Sequence, residues 1–198
     1  MSLLMAGGTA TAVTFDFNSL TPGSYTEGSL SSLFSGVSFN NTGGDGFTVY
    51  DSTTLASGLL QLDFTGNVLL NDAYGAPGNS TIASFDYTTD FASVTLGDLN
   101  QDYDDLYLFA YDSSNALLDS DYFANPAGSY AGTTLSVSSL AGDIAWVEYY
   151  GVGTNYNSVF WDNLSFNMTE QPVPEPVTFF LFGAGLLGLA GFRRKFRK

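Results

Sequence analysis

The side chains that could do chemistry in this 198-residue chain are carboxylates, amides, hydroxyls and aromatic rings. The chain contains no Cys and no His, and its five Lys and Arg residues all lie within the last six positions. These absences exclude a Ser-His-Asp or Cys-His nucleophile and an ordinary zinc or copper site. With 20 acidic residues and no cation before residue 193, the body also lacks the basic surface that nucleic acid requires. We therefore expect no nucleic-acid partner.

The densest group of oxygen-bearing side chains lies in the segment 98–105 (DLNQDYDD). Oxygens at roughly alternate positions can converge on a hard cation such as Ca²⁺, which takes about six to eight oxygen ligands. The segment departs from an EF-hand loop, because Tyr103 and Phe109 stand where that loop needs glycine and glutamate. Two interpretations stay open, a solvated acidic turn and a structural Ca²⁺ site. The ligands of the second would be Asp98, Asn100, Asp102, Asp104 and Asp105.

A second group combines aromatic rings with amide side chains around the last two predicted strands. Sugar-binding sites use this combination, since rings stack on apolar sugar faces and amides hydrogen-bond to hydroxyls. The candidates are Tyr156, Trp146, Trp161, Asn155 and Asn157. For the two tryptophans, burial in the core is the competing interpretation. Tyr156 lies in a Gly/Asn-rich loop and is expected to be exposed.

A hydrolase built on this chain would have to use carboxylates alone. Glycoside hydrolysis needs two of them at a defined separation, one with a raised pKa. Glu27 and Glu148 are the two glutamates of the segment 13–167, and nothing around them in the sequence marks a pair. We expect no enzyme activity, with a carbohydrate-active hydrolase as the alternative.

The segment 13–167 has the pattern of an all-β domain. Short runs of β-branched and aromatic residues alternate with Gly, Asn, Asp and Ser, which predicts a single antiparallel β-sandwich. The predicted strands are 13–17, 36–40, 47–51, 59–64, 67–70, 82–87, 92–96, 106–111, 116–121, 133–137, 145–150 and 158–166. In the strand 106–111, Leu and Ala occupy one face and Tyr and Phe the other. This second face is either a further layer of core or the floor of a shallow ligand site.

The C-terminal segment has the features of a membrane signal. A proline-rich stretch at 171–176 precedes the uncharged apolar run 177–192, which as a helix would span about 24 Å. A basic tail follows, formed by Arg193, Arg194, Lys195, Arg197 and Lys198. Cations at one end of an apolar segment orient the tail towards the cytoplasm, so a single transmembrane helix is predicted at 177–192 with the body outside.

Pro174-Glu175-Pro176, the glycine-rich apolar helix and the basic tail together resemble the PEP-CTERM sorting signal of Gram-negative exported proteins. The resemblance implies recognition by an exosortase, a membrane transpeptidase that cleaves near the sorting motif Pro174, Glu175 and Pro176. The precursor would reside transiently in the inner membrane and the product at the cell surface or in the extracellular matrix. A plain C-terminal anchor is the alternative.

The body resembles the jelly-roll or galactose-binding-like ectodomains that often precede such signals. The resemblance rests on FDFNSL, GVSF, LYLFAYDSSNALLDS and the closing SVFWDNLSF. Asp162-Asn163 matches the Asp-Asn pair usual in the last strand, whereas Asn115 departs from the glycine usual in the hairpin.

The N-terminal segment 1–12 ends in Ala-Thr-Ala, a small-x-small pattern that suits signal-peptidase cleavage. The predicted organisation is a signal-peptide remnant at 1–12, the sandwich at 13–167, a linker at 168–173 and the sorting signal at 174–198. The predicted function is that of an exported surface or extracellular-matrix protein with a structural or adhesive role. Polysaccharide is the candidate ligand of the body.

Overall fold

Two antiparallel sheets make up the part of the chain that the computed structural model describes, namely residues 10–44, 46–54, 64, 66–71, 79–98, 103–125, 132–153 and 159–169. The strands are β1 (Ala10–Phe15), β2 (Gly23–Tyr25), β3 (Val37–Asn41), β4 (Phe47–Asp51), β5 (Asn67–Asn71), β6 (Thr81–Thr89), β7 (Phe91–Asp98), β8 (Asp104–Tyr111), β9 (Leu117–Asn125), β10 (Thr133–Ser138), β11 (Ile144–Gly153) and β12 (Val159–Thr169). The helix α1 spans Glu27–Ser31, and a short 3₁₀ turn spans Ser52–Thr54.

The seven-stranded sheet has the order β10-β7-β12-β5-β4-β2, with β1 also paired to β12. The five-stranded sheet has the order β3-β6-β11-β8-β9. This arrangement confirms the predicted all-β sandwich. Sequential neighbours such as β8 and β9 form hairpins, while β7 to β8 and β11 to β12 pass from one sheet to the other.

The core lies between the two sheets and follows the alternation of the strands. In β8, Leu106, Leu108 and Ala110 are fully buried, as the sequence pattern predicts. They meet residues of the opposite sheet such as Val94 and Trp161 in one continuous apolar cluster. A smaller cluster of Phe64, Val68, Leu70 and Phe160 lies apart from it.

The edge of the five-stranded sheet at β3 is covered by α1. Thr26 caps this helix by accepting a hydrogen bond from the Ser29 amide. The Ser31 hydroxyl accepts from the Phe39 amide at 2.8 Å, and the Glu27 carboxylate accepts from the Asn41 amide at 2.7 Å. These bonds occupy backbone donors that an edge strand would otherwise present to another chain.

The predicted strands agree with the observed ones, except for one short strand and for the ends of several others. The three-residue strand β2 carries too little sequence pattern to be detected, and the predicted strand 59–64 falls mostly outside the described residues. The strand β1 begins at Ala10, inside the segment predicted as a signal-peptide remnant, and β12 extends to Thr169. The domain boundaries remain predictions.

Candidate functional site

The outer side of the five-stranded sheet carries six aromatic residues, which we call the aromatic face. Its members are Tyr107, Phe109 and Tyr111 of β8, Tyr122 of β9, and Trp146 and Tyr150 of β11. Their buried neighbours along β8 and β11 fill the core, so strand alternation sends these rings outward. The second face predicted for the strand 106–111 therefore points away from the core.

The register of three strands brings these rings together. Tyr107 lies directly opposite Tyr150 on one side and Tyr122 on the other. Trp146 lies opposite Tyr111. A continuous row of three tyrosines thus crosses β11, β8 and β9, and an indole-phenol pair lies further along the same face.

The rings contact one another in stacked and tilted arrangements. Tyr107 has its ring centroid 5.4 Å from that of Tyr150 and 5.0 Å from that of Tyr122, with interplanar angles of 30° and 40°. Trp146 and Tyr111 stack at 4.0 Å and 12°. Tyr122, the last ring of the row on the edge strand, is 50% exposed.

Carboxylates interrupt the aromatic face and supply hydrogen-bond acceptors. Glu148 lies opposite Phe109 and accepts a hydrogen bond from the Ser80 hydroxyl at 2.5 Å. A hydrogen bond to Asp105 raises the pKa of Tyr103 to about 12. Burial, and then the same carboxyl group, raise the pKa of Tyr122. The phenols of Tyr103 and Tyr122 therefore stay neutral at physiological pH and can donate hydrogen bonds.

The structure separates the predicted sugar-binding residues. Trp146 belongs to the aromatic face, whereas Trp161 is a core residue with 2% exposure, so its assignment to a ligand site is corrected here. Trp161 is buried because its side chain points from β12 into the core, where it packs against Phe17 and Tyr149. Asn155, Tyr156 and Asn157 lie outside the described residues.

The predicted Ca²⁺ segment is described only in part. Asp98 is the last residue of β7, while Asn100 and Asp102 lie outside the described residues. Asp104 and Asp105 are consecutive residues of β8, and Asp104 is the buried one of the two. Their side chains thus leave opposite faces of the strand, so these two carboxylates do not converge on one ion. Within the described ranges, no three acidic side chains gather as a metal cluster would require.

A feature that sequence reasoning missed lies where β12 changes partners. Phe160 and Trp161 pair with β5, and further along β12 pairs with β1. We call this place the strand junction, formed by Asp16, Phe17 and Asn18 after β1, Asn67 at the start of β5, and Asp162 and Asn163 of β12. It is tied by the Asn67 amide, which donates to the Asn18 side-chain oxygen at 2.7 Å, and by the Asn67 carboxamide, which donates to the Leu20 carbonyl at 2.7 Å.

Asp162 is the unusual group of the strand junction. It is 1% exposed, one of its carboxylate oxygens accepts from the Asn163 carboxamide at 3.1 Å, and the other has no hydrogen-bond partner. Burial, together with the nearby charge of Asp16, raises its pKa to about 7. In the sequence, Asp162-Asn163 matches the Asp-Asn pair usual in the last strand of the resembling ectodomains, but no local pattern predicts that the carboxylate is buried.

Comparison with known proteins characterises the C-terminal segment. Residues 172–195 match the PEP-CTERM protein-sorting motif. The PEP-CTERM signal confirms the predicted resemblance and marks the chain as an exported, membrane-anchored precursor that an exosortase processes. The sorting motif, the predicted transmembrane helix and the basic tail lie outside the described residues. Among the residues that the structure describes, no helix has the length and apolarity to cross a membrane.

Several solved structures are similar to the body. A DUF4465 family protein from Bacteroides caccae matches with a TM-score of 0.51 and 11% identity, covering 81% of this chain and 100% of that one. The K1 cleaved adhesin domain of Lys-gingipain from Porphyromonas gingivalis W83 matches with a TM-score of 0.45 and 12% identity, over 81% and 99% of the chains. A family 22 carbohydrate-binding module of Clostridium thermocellum Xyn10B matches with a TM-score of 0.41 and 12% identity, over 81% and 95%. No curated protein sequence matches the chain.

Proposed function

We propose that this protein is a cell-surface or matrix protein of a Gram-negative bacterium that binds neutral polysaccharide through its aromatic face. Its role is structural or adhesive, and the exosortase releases it from the inner membrane. The observation that carries the proposal is the row of contacting, outward-facing rings on β11, β8 and β9.

The aromatic face has the chemistry of a polysaccharide surface. Sugar rings carry apolar C–H faces and hydroxyl rims, which match aromatic rings bordered by acceptors and phenolic donors. Tyr122 and Trp146 offer ring surface, while Glu148 and the phenols offer hydrogen bonds. Centroid spacings of 5–6 Å between successive rings suit an extended chain better than a single small molecule.

The charge of the body selects the class of ligand. Residues 1–192 contain 20 carboxylates and no Lys, Arg or His. Acidic polysaccharides and nucleic acids are therefore repelled, and so is a second copy of the chain. A neutral glycan is not repelled by the negative charge of the body.

The hydrolase alternative gains no support from Asp162, the described acid whose pKa is raised. Asp162, whose pKa is raised to about 7, is buried beneath the surface of the seven-stranded sheet with 1% exposure. A general acid must reach the glycosidic oxygen within hydrogen-bond distance, which this position does not allow. The proposal therefore contains no catalytic step.

Affinity electrophoresis of the detergent-purified full chain tests the proposal, with dextran, xylan and galactomannan as neutral probes and alginate as the acidic probe. We expect retardation by at least one neutral probe and none by alginate. Tyr122→Ala and Trp146→Ala should each weaken retardation at least fivefold. Tyr87→Ala is the matched control, because Tyr87 is 48% exposed but lies outside the aromatic face. Equal loss in all three variants, or no retardation by any neutral probe, would refute the proposal.

A further inference from the structure

We propose that one water molecule binds inside the sandwich and joins the two sheets by hydrogen bonds to the Tyr149 hydroxyl and the Trp161 indole N–H. Tyr149 belongs to β11 of the five-stranded sheet, and Trp161 belongs to β12 of the seven-stranded sheet. The site lies in the core, so the proposal does not depend on sugar binding at the aromatic face.

The first support is a small cavity between the two sheets. Its space is comparable to that of a single water molecule, which excludes a larger organic ligand. The side chains of its wall come from both sheets and are at most 3% exposed. They include four polar residues, Asn71, Thr81, Tyr149 and Trp161, and the apolar residues Leu96 and Val159.

The second support is that two polar groups of this wall lack a partner. The Tyr149 hydroxyl and the Trp161 indole nitrogen are buried, and neither makes a hydrogen bond with any described residue. Their rings meet edge to face, with centroids 5.1 Å apart and an interplanar angle of 68°. Buried polar groups are almost always paired in proteins, because an unpaired group loses the hydrogen bonds that it makes with solvent in the unfolded chain. Both groups therefore call for a ligand that hydrogen-bonds to them.

The third support is that the chemistry of these groups selects a neutral ligand. An indole N–H can only donate, and a phenol can donate or accept. Burial raises the pKa of Tyr149 well above the ordinary value of 10.0, so its hydroxyl keeps the proton. The donor N–H of Trp161 repels a metal cation. An anion is repelled by 20 carboxylates and meets no Lys, Arg or His in residues 1–192.

Water satisfies both groups at once. Its oxygen can accept from the Trp161 indole N–H and from the Tyr149 hydroxyl. A buried water usually makes about three hydrogen bonds, so it also needs an acceptor for its own protons. Asn71 and Thr81 lie in the same wall and carry side-chain oxygens of that kind.

The water site extends a polar connection that already joins the sheets. The Asn41 carboxamide on β3 donates to the side-chain oxygen of Asn71 on β5, and these strands belong to different sheets. Most of the remaining core is apolar, and apolar contacts are not directional. Hydrogen bonds have defined lengths and angles. The water therefore fixes the position of Trp161 relative to Tyr149 more closely than ring packing alone.

Tyr149→Phe tests the site because a bound water and an unpaired hydroxyl predict opposite signs. With the water bound, the substitution removes one of its hydrogen bonds, so the Tm of the detergent-purified full chain should fall by about 2–4 °C. An unpaired buried hydroxyl is unfavourable, so its removal should raise Tm. Tyr87→Phe is the matched control, because Tyr87 is 48% exposed and its variant should melt within about 1 °C of the wild type. An unchanged or higher Tm in Tyr149→Phe would overturn the proposal.

Nuclear magnetic resonance identifies the ligand as water. Trp146→Phe leaves Trp161 as the only tryptophan, so ¹⁵N-labelled tryptophan gives a single indole N–H resonance. We expect a nuclear Overhauser cross-peak between this proton and water. The cross-peak should persist when Tyr149→Phe is added, because the indole donor remains. No cross-peak in Trp146→Phe, or its loss in the double variant, would overturn the proposal, since the second result would assign the signal to the exchanging Tyr149 hydroxyl.

Discussion

The Asp121 carboxylate accepts a hydrogen bond from the Ser136 backbone amide at 2.9 Å, joining the edge strand of one sheet to the edge strand of the other. Asp119 makes the same contact with the Ser138 amide at 2.8 Å. Asp119 and Asp121 are alternate residues of β9 and both point towards β10. Their carboxylates therefore occupy two alternate backbone amides of the β10 edge. In a body without side-chain cations, backbone amides take the role that Lys and Arg usually have as partners of carboxylates.

Removing these carboxylates should expose the β10 edge. We expect Asp119→Ala combined with Asp121→Ala to lower the free energy of unfolding by about 2–4 kcal/mol. A hydrogen bond to a charged group contributes roughly 1.5–3 kcal/mol, and solvent exposure reduces this contribution for both bonds. The double Asn variant keeps an acceptor oxygen and should lose less than half as much. Urea denaturation measures both. Equal stability of the Ala and Asn variants would show that these bonds do not support the edge. Light scattering should also show association of the Ala variant, because uncovered edge amides pair with other chains.

Gly153 is required where β11 meets the beginning of β8. A Cβ atom at this position would lie 1.8 Å from the Tyr103 carbonyl oxygen and 2.0 Å from an Asp104 carboxylate oxygen. Gly153→Ala should therefore destabilise the protein by about 1–3 kcal/mol through overpacking. Gly28→Ala is the control, because it lies in α1 with nothing within 4 Å of its added Cβ. Thermal denaturation should show a loss in the first variant alone; similar melts would contradict the close packing.

The strand alternation and the hairpin were predictable from sequence because both are local. The period-two pattern of 106–111 gave the correct inward and outward faces. Asn115 stands where the hairpin of the resembling ectodomains usually has glycine, and its φ of 66° lies in the region that glycine and asparagine tolerate. The turn before it is fixed by Asp112, which accepts from the amides of Ser114 and Ala116 at 2.8 Å.

The composition of the two candidate sites depends on non-local pairing. Tyr122 contacts Tyr107 because of the register of β9 on β8. The residues next to Tyr122 in the sequence do not predict this contact. Asp162 is buried directly after Trp161, the last residue of β12 that pairs with β5, and no local pattern encodes where that pairing ends. The predicted convergence of Asp104 with Asp105 failed for a local reason, since β8 already begins at Asp104.

Stability should depend on pH through Asp162. Its pKa is about 7 in the folded protein against an ordinary value of 3.8, so the folded state binds the proton more tightly than the unfolded chain. The stability gained from the neutral carboxyl is therefore present at low pH and is lost as pH rises through 7. In EDTA, we expect a higher Tm at pH 5 than at pH 8.

Asp162→Asn should flatten this dependence, whereas Asp86→Asn should not. Below pH 4 the opposite sign takes over, because hydrogen bonds from Ser114 and Ala116 lower the pKa of Asp112 and that stabilisation is lost on protonation. A Tm that rises steadily from pH 5 to pH 8 in the wild type would contradict the assignment.

Processing of the C-terminal segment should depend on the sorting motif. In a host with an exosortase, we expect the mature protein to end near Glu175 and to leave the membrane fraction. Glu175→Ala should retain it there with its basic tail. Intact-mass measurement of the recovered protein decides this. Full-length protein as the stable form in such a host would indicate a plain membrane anchor.

Tryptophan fluorescence tests the binding of polysaccharide to the aromatic face most directly. The chain has two tryptophans, Trp161 in the core and Trp146 on the aromatic face, so a ligand on that face perturbs the emission of Trp146 alone. Titration with the neutral polysaccharide that retards the chain should give a saturable change in emission, absent in Trp146→Phe and retained in Tyr87→Ala. A saturable change of equal size in Trp146→Phe would place the ligand elsewhere and contradict the proposed function.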